Sequence, residues 1–165
     1  MQSNNIILIG MPASGKSTIG VILAKMLGYA FIDTDLIIQS QEKAKLQTII
    51  KDKGINEFLD IESDVCCSLN VTNTVIATGG SVVYKERSMS HLKRQGTIIY
   101  LKVDIDTLNH RLSDMKQRGV VLKDGQSLAD LYLERTALYE KYADVIIEEK
   151  HMSLEETAVY VMERL

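Results

Sequence analysis

Residues 6 to 18, Ile6-Ile7-Leu8-Ile9-Gly10-Met11-Pro12-Ala13-Ser14-Gly15-Lys16-Ser17-Thr18, constrain the whole chain, because they read as strand, loop and helix in immediate succession. Four consecutive branched apolar residues suit a strand buried on both faces, as in a parallel sheet. The loop after them fits G-x-x-x-x-G-K-[ST], with Gly10, Gly15, Lys16 and Ser17 at the required places. Glycines let successive N–H groups converge on an anion, and the helix starting near Gly15 adds unpaired amides and the positive end of its dipole. Lys16 supplies a mobile charge for the outer phosphates, and the Ser17 hydroxyl is placed to ligate magnesium. A glycine-rich turn before an ordinary helix is the alternative. The apolar strand before the motif and the amphipathic run Ile19 to Leu27 after it favour a nucleotide site with Gly10, Ala13, Ser14, Gly15, Lys16, Ser17 and Thr18 around the phosphates.

The chain has 165 residues. That length suits one domain, 1–165, burying about 70% of its unfolded surface. Nineteen lysines and arginines against 22 aspartates and glutamates give a net charge of −3, with no basic face concentrated in sequence. Seven tyrosines, two phenylalanines and no tryptophan offer little base-stacking surface, so no nucleic-acid partner is expected. Cys66 and Cys67 are adjacent with no other cysteine in the chain, which suits buried thiols on a helix rather than a structural disulfide. His91, His110 and His151 lie too far apart in sequence for a zinc pattern. No signal peptide or membrane span is legible, so a soluble cytoplasmic setting is expected.

Along the chain, Tyr29 to Ile32 reads as a second strand running into Asp33-Thr34-Asp35. Helical patterns follow at about 35–52 and 56–70, with Gly54 as the breaker between them. Two helices in a row interrupt the βαβ rhythm, which is where a substrate-holding subdomain could be built. Thr74 to Ala77 reads as a third strand ending in Thr78-Gly79-Gly80-Ser81, a helix follows at 84–95, and a fourth strand spans 97–102. Asp104 is a natural N-cap for the next helix, and helix 127–142, strand 145–147 and a helix from Ser153 complete the chain. Between Arg111 and Gln126 the apolar periodicity weakens, as suits a mobile loop over an active site. Strands alternating with helices imply an α/β fold with a parallel sheet covered on both faces.

In such a sheet ligands bind beyond the carboxyl ends of the strands. Asp33 and Asp35 lie just past the second strand, where alternation along extended chain would turn both carboxylates toward one cleft. One could hold magnesium and the other could orient an acceptor hydroxyl or take its proton. A plain Asp-Thr-Asp helix cap is the competing reading. Gly79 and Gly80 allow a close backbone approach to a ligand. Arg111, Arg118 and Arg135 could place positive charge around a migrating phosphoryl group.

With these residues assembled, the chain resembles the shikimate kinases over almost its full length. The segments that carry the likeness are Gly10 to Thr18, Phe31 to Asp35, Gly54 to Glu62, Ala77 to Gly80, Arg118-Gly119 and Glu134-Arg135-Thr136-Ala137-Leu138-Tyr139-Glu140, the last similar to an E-R-x-P-L-Y-E pattern. The resemblance implies a three-layer P-loop kinase fold with a five-stranded parallel sheet in order 2-3-1-4-5, a substrate-binding subdomain at about 33–62 and a lid at about 112–126. It implies a monomeric kinase that uses ATP and Mg2+ to phosphorylate a small hydroxylated substrate, shikimate first, in aromatic amino acid biosynthesis. By the same resemblance Asp35, Lys16 and Arg118 are catalytic, and Ser17 and Asp33 hold the metal. Arg111 and Arg118 join the loop in binding nucleotide, while Asp35, Gly79, Gly80 and Arg135 bind the acceptor, Arg135 through its carboxylate.

Two positions depart from the family pattern. An arginine that grips the substrate carboxylate usually follows the phenylalanine of the subdomain, but this chain reads Phe58-Leu59-Asp60. An alkyl chain cannot form the bidentate charge-assisted pair, whose loss typically costs about 2 to 5 kcal/mol, and Asp60 would repel a carboxylate. Ser81 stands where a third glycine is usual. A kinase of the same fold acting on another polyol or hydroxy acid is therefore the alternative, and a nucleotide-binding module without transfer chemistry is a further one.

Overall fold

The computed structural model describes residues 4–113, 124–149 and 151–165. Its centre is β1 (Asn5–Ile9), every residue of which is buried, as its unbroken apolar run requires of a strand covered on both faces. Around it β2 (Ala30–Asp33), β3 (Thr74–Ala77), β4 (Gly96–Lys102) and β5 (Val145–Glu148) form a five-stranded sheet in the order β2-β3-β1-β4-β5, with every pairing parallel. Ile7 of β1 lies opposite Ile76 of β3 on one side and Ile98 of β4 on the other, so the central strand is clamped by its own residue type.

Alternation along β1 divides the core. Ile6 and Leu8 pack with Ile19, Leu23 and Ala24 of α1 (Lys16–Leu27) and with Ala158 and Val161 of α8 (Leu154–Met162). Ile7 and Ile9 face the opposite layer, against Cys66 of α4 (Ile55–Ser68), Met89 and Leu92 of α5 (Glu86–Gln95), Leu108 of α6 (Ile105–Ser113), and Leu131 and Tyr139 of α7 (Leu128–Tyr142). The expected strand order and the helices on both faces are both present. Cys66 is buried and Cys67 only half covered; both are free, and burial pushes the Cys66 thiol well above its usual range. Among the described residues no helix is long and apolar enough to cross a membrane, and no group of three or more metal-binding side chains occurs.

Helix ends follow local chemistry. Ser127 and Asp130 form a reciprocal capping box on α7, Ser153 and Glu156 form another on α8, and Asp104 accepts the Thr107 N–H at 2.9 Å ahead of α6. The segment read as one helix over 35–52 is two helices, α2 (Thr34–Glu42) and α3 (Leu46–Lys53). The break sits at Lys43, whose φ of 53° ends α2 without a glycine, and neither proline nor glycine marks the place in sequence. With α4, these helices enclose a small second core of Ile38, Ile49, Phe58 and Val65. The helix expected at 84–95 likewise starts as a 3₁₀ turn, Val82–Tyr84, before α5.

Asn5, 1% exposed, ties three segments together at the amino end of the sheet. Its Nδ2 donates to the carbonyls of Val71 at 2.6 Å and Gln95 at 3.0 Å, and its Oδ1 accepts the Thr74 N–H at 3.0 Å. Asn5→Leu leaves these buried backbone groups unpaired, and a loss of about 2 to 4 kcal/mol is expected. Urea unfolding of the two proteins measures it; a loss under about 0.5 kcal/mol would mean that water or relaxation replaces the amide.

Candidate active site

The loop between β1 and α1 turns where glycine permits it. Gly10 has φ 150° and Gly15 has φ 89°, and Ala13 joins them in the left-handed region at φ 66°, so the curl of the backbone is not confined to the glycines. A Cβ at Gly10 would meet the Leu101 carbonyl oxygen of β4 at 2.7 Å, so the loop lies flush on the sheet. Lys16 is 7% exposed. Its ammonium donates to the carbonyls of Gly10 at 2.9 Å and Met11 at 2.8 Å and lies 3.4 Å from Ser14 Oγ. Burial pulls its pKa down to about 8, opposed by the charge of Asp35 and reinforced by Arg135, so it keeps its proton at neutral pH.

Ser17 and Thr18 stand at the exposed lip of the loop. The Ser17 hydroxyl donates to Asp33 Oδ2 at 2.6 Å, across from the first strand end to the second. Asp33 Oδ1 meanwhile accepts the Asp35 N–H at 3.0 Å, making Asp33 the N-cap of α2. The capping and metal-holding readings of Asp33 are therefore compatible, since its two oxygens have different partners. Asp33 and Asp35 both line one cleft, although not through alternation: helix α2 begins at Thr34, and it is the strand-to-helix turn that brings them together. A hydroxyl and a carboxylate oxygen at this spacing fit magnesium, which takes few protein oxygens and completes its octahedron with phosphate and water.

The cleft, of about 400 Å³, runs from the loop to α2, α3 and α4. Gly79 and Gly80 are needed there for space rather than for φ. A Cβ at Gly79 would fall 2.2 Å from Glu62 Oε1 and 2.9 Å from Asp35 Oδ1, and one at Gly80 would fall 2.9 Å from both Arg135 Nη1 and Pro12 Cδ. Arg135 is 1% exposed. It lies over the Tyr84 ring at 5.3 Å and donates from Nε to the Tyr84 hydroxyl at 3.3 Å, while Tyr139 donates to the Gly80 carbonyl at 2.6 Å. Arg111 donates to the Ala13 carbonyl at 3.1 Å and pairs with Glu149, which ties it to the phosphate loop. Arg118 and most of the lid assigned to about 112–126 lie outside the described residues.

Leu59 is half-buried and does not line the cleft. Asp60 does not line it either, because its carboxylate turns away to Lys85 Nζ at 2.6 Å; the repulsion of a substrate carboxylate expected from Asp60 is thus largely removed. Glu62, Ser81 and Lys45 are among the lining residues that carried no site assignment from sequence. Glu62 is 2% exposed; its Oε2 accepts from Ser81 Oγ at 2.7 Å, while Oε1 is buried with no hydrogen-bond partner. Burial pushes its pKa up to about 7; the Ser81 hydrogen bond opposes the shift and the Asp35 charge adds to it. A sign of this was available, because Glu62 falls on the same helical stripe as Phe58 and Val65, where an acid is out of place.

A phosphate loop at the switch point of a parallel sheet, with paired acids beyond the neighbouring strand and a buried arginine across the cleft, defines a P-loop phosphotransferase of small molecules. The family model described as shikimate kinase matches residues 12–165. A shikimate kinase of Prochlorococcus marinus is 38% identical over 100% of this chain and 84% of its own length, and one of Xylella fastidiosa is 35% identical over 90% and 84%. Among solved structures, shikimate kinase from Acinetobacter baumannii in complex with shikimate superposes with a TM-score of 0.89 at 28% identity, covering 98% of this chain and 92% of that one. The enzyme from Aquifex aeolicus gives 0.80 at 28% identity, covering 96% and 94%. The chain belongs to the shikimate kinase family, whose members use ATP and Mg2+.

Glu62 makes a stability prediction. With a folded pKa of about 7 against an ordinary value of 4.5, it holds more protons folded than unfolded between those values. Its contribution to stability is therefore fully present at low pH and lost as pH rises from 4.5 through 7. The difference in urea midpoint between wild type and Glu62→Gln should shift against wild type across that window, and parallel curves would refute the buried acid.

Proposed function

We propose that this chain transfers the γ-phosphoryl group of ATP to a hydroxyl of shikimate. The observation that carries the reading is the meeting, in one cleft, of Lys16, the Ser17 and Asp33 pair, Asp35 and the buried Arg135. The amides around Gly15 and the ammonium of Lys16 cradle the phosphates, with Gly10, Ala13, Ser14 and Thr18 completing the loop and Arg111 fastening its far side to Glu149. Ser17 and Asp33 would hold magnesium, which would offset the negative charge of the phosphates. Asp35 orients the acceptor hydroxyl and takes its proton as the new O–P bond forms and the bond from phosphorus to the ADP oxygen breaks, leaving ADP and a phosphate ester. Lys16 stays protonated throughout. Gly79 and Gly80 keep the floor of the cleft low enough for the acceptor to reach Asp35, and Arg135 faces the acceptor's carboxylate. Arg118 is assigned to the lid over the phosphates.

On this reading α2 to α4 act as the substrate-holding subdomain of a single 1–165 domain with a lid at about 112–126. The chain is a monomer with reduced thiols in a cytoplasmic setting, serves aromatic amino acid biosynthesis, and has no nucleic-acid partner. Asp33, Asp35 and Arg135 all remain around the loop, which favours transfer chemistry over a bare nucleotide-binding module.

Asp35→Asn should lower kcat on shikimate by about 10²- to 10⁴-fold while changing KM for ATP little. A coupled ADP-release assay run over shikimate and a panel of other polyols and hydroxy acids checks it. Full activity in the variant would remove Asp35 from the mechanism, and turnover on another acceptor but not on shikimate would replace the substrate.

A further inference from the structure

Shikimate is a carboxylate, and an anion drawn into a half-buried cleft needs a cation to offset its lost hydration. Among the described residues the cleft is lined by three cations, Lys16, Arg135 and Lys45, against the acids Asp33, Asp35 and Glu62. Lys16 is held by the phosphate loop's own carbonyls. Arg135 is partly engaged by Tyr84 and lies in the field of Glu62. That leaves Lys45, at the corner between α2 and α3, as the cation still able to turn toward an incoming anion: it is exposed and forms no ion pair among the described residues. Lys53 in the same helical excursion, by contrast, is occupied by Glu42 at 2.7 Å and Glu57 at 3.5 Å.

The position of Lys45 works against local helix stability, which is a second and independent observation. It is the N-cap of α3, with φ −71° and ψ 151° and no side-chain cap. Ser, Thr, Asp or Asn there would satisfy an amide, and Asp would also suit the positive helix end; a lysine does neither. Local rules are broken in this way mainly where function requires the residue. The corner itself is set by Lys43 in the left-handed region, which turns α3 so that Lys45, Leu46 and Gln47 border the cleft.

We propose that Lys45 is a specificity-determining residue that, together with Arg135, binds the acceptor carboxylate, in the role left open by Leu59. The proposal rests on the acceptor reading given above. Its geometry differs from that of an arginine on α4: the charge reaches the carboxylate from the α2–α3 corner, on a flexible stem that gives a point charge rather than a planar fork. Glu62, whose pKa burial pushes up to about 7, carries less than a full charge near neutrality and so offsets the added cation only in part.

The test compares wild type, Lys45→Met and Lys45→Arg on shikimate and on its uncharged methyl ester. Lys45→Met should raise KM for shikimate about five- to tenfold, leave kcat and KM for ATP within about twofold, and leave KM for the ester unchanged. Lys45→Arg should restore the wild-type KM. Thermal midpoints should not fall in Lys45→Met, since the lysine adds nothing to the helix. Equal effects on acid and ester, or no effect on either, would overturn the role of Lys45 while leaving the acceptor reading intact. Absence of wild-type turnover on shikimate would overturn the acceptor reading and this role with it.

Discussion

The ammonium of Lys16 is buried at the carboxyl end of the central strand, and the arrangement of the site follows from accommodating that charge. Its hydrogen bonds go to the carbonyls of its own loop, which fixes the curl of residues 10 to 16. Asp35, Asp33 and Glu62 lie close enough to act on its proton, and Arg135 opposes them from across the cleft. The acids favour the charged form of this buried cation, against the burial that disfavours it. The same balance separates the carboxyls into different roles. Asp33 is fixed by Ser17 and by the helix it caps, whereas Glu62, without a charged partner in contact, is pushed toward neutrality.

The sheet makes this convergence possible. With β3 on one side of β1 and β4 on the other, successive chain segments leave the sheet in different directions, and a crevice opens above the central strand. The phosphate loop fills its floor, α2 starts at its edge, and the turn after β3 supplies Gly79 and Gly80. These glycines show how tightly the layers meet. Each stands where a side chain would collide with a functional group, Glu62 and Asp35 in one case and Arg135 in the other. Close packing of polar groups around a ligand cleft is thus obtained by removing side chains from the strand end rather than by bending the backbone.

The side of the cleft formed by α2 to α4, where the acceptor is proposed to bind, differs from the phosphate-loop side in how its charges are placed. Leu59 removes a planar cation from α4, Asp60 is drawn off to Lys85, and Ser81 occupies one oxygen of Glu62. The first takes a cation from an anion site, whereas the second takes a negative charge away from it. Taken together they leave a cleft whose buried Glu62, with its pKa raised to about 7, carries only part of a charge near neutrality, whose neighbouring Asp60 points elsewhere, and whose corner presents a lysine. Around the phosphate loop, Ser17 is bonded directly to Asp33, and Arg111 is bonded to the loop itself.

The sequence alone determined the phosphate loop, the alternation of strands and helices, the capping residue Asp104, and the candidate acids Asp33 and Asp35, because these depend on local spacing and on backbone preferences that act within a few residues. The strand order came from the family likeness carried by those motifs, and it matches the sheet. The tertiary structure decided what depends on partners distant in sequence. The split between α2 and α3 turns on one lysine in a left-handed conformation, which no breaker residue announces. The direction of Asp60 was set by Lys85, 25 positions away, and the raised pKa of Glu62 by its burial and by the charge of Asp35, against the opposing hydrogen bond from Ser81. Charge and protonation belong to the surroundings of a side chain, and those surroundings exist only once the chain has folded.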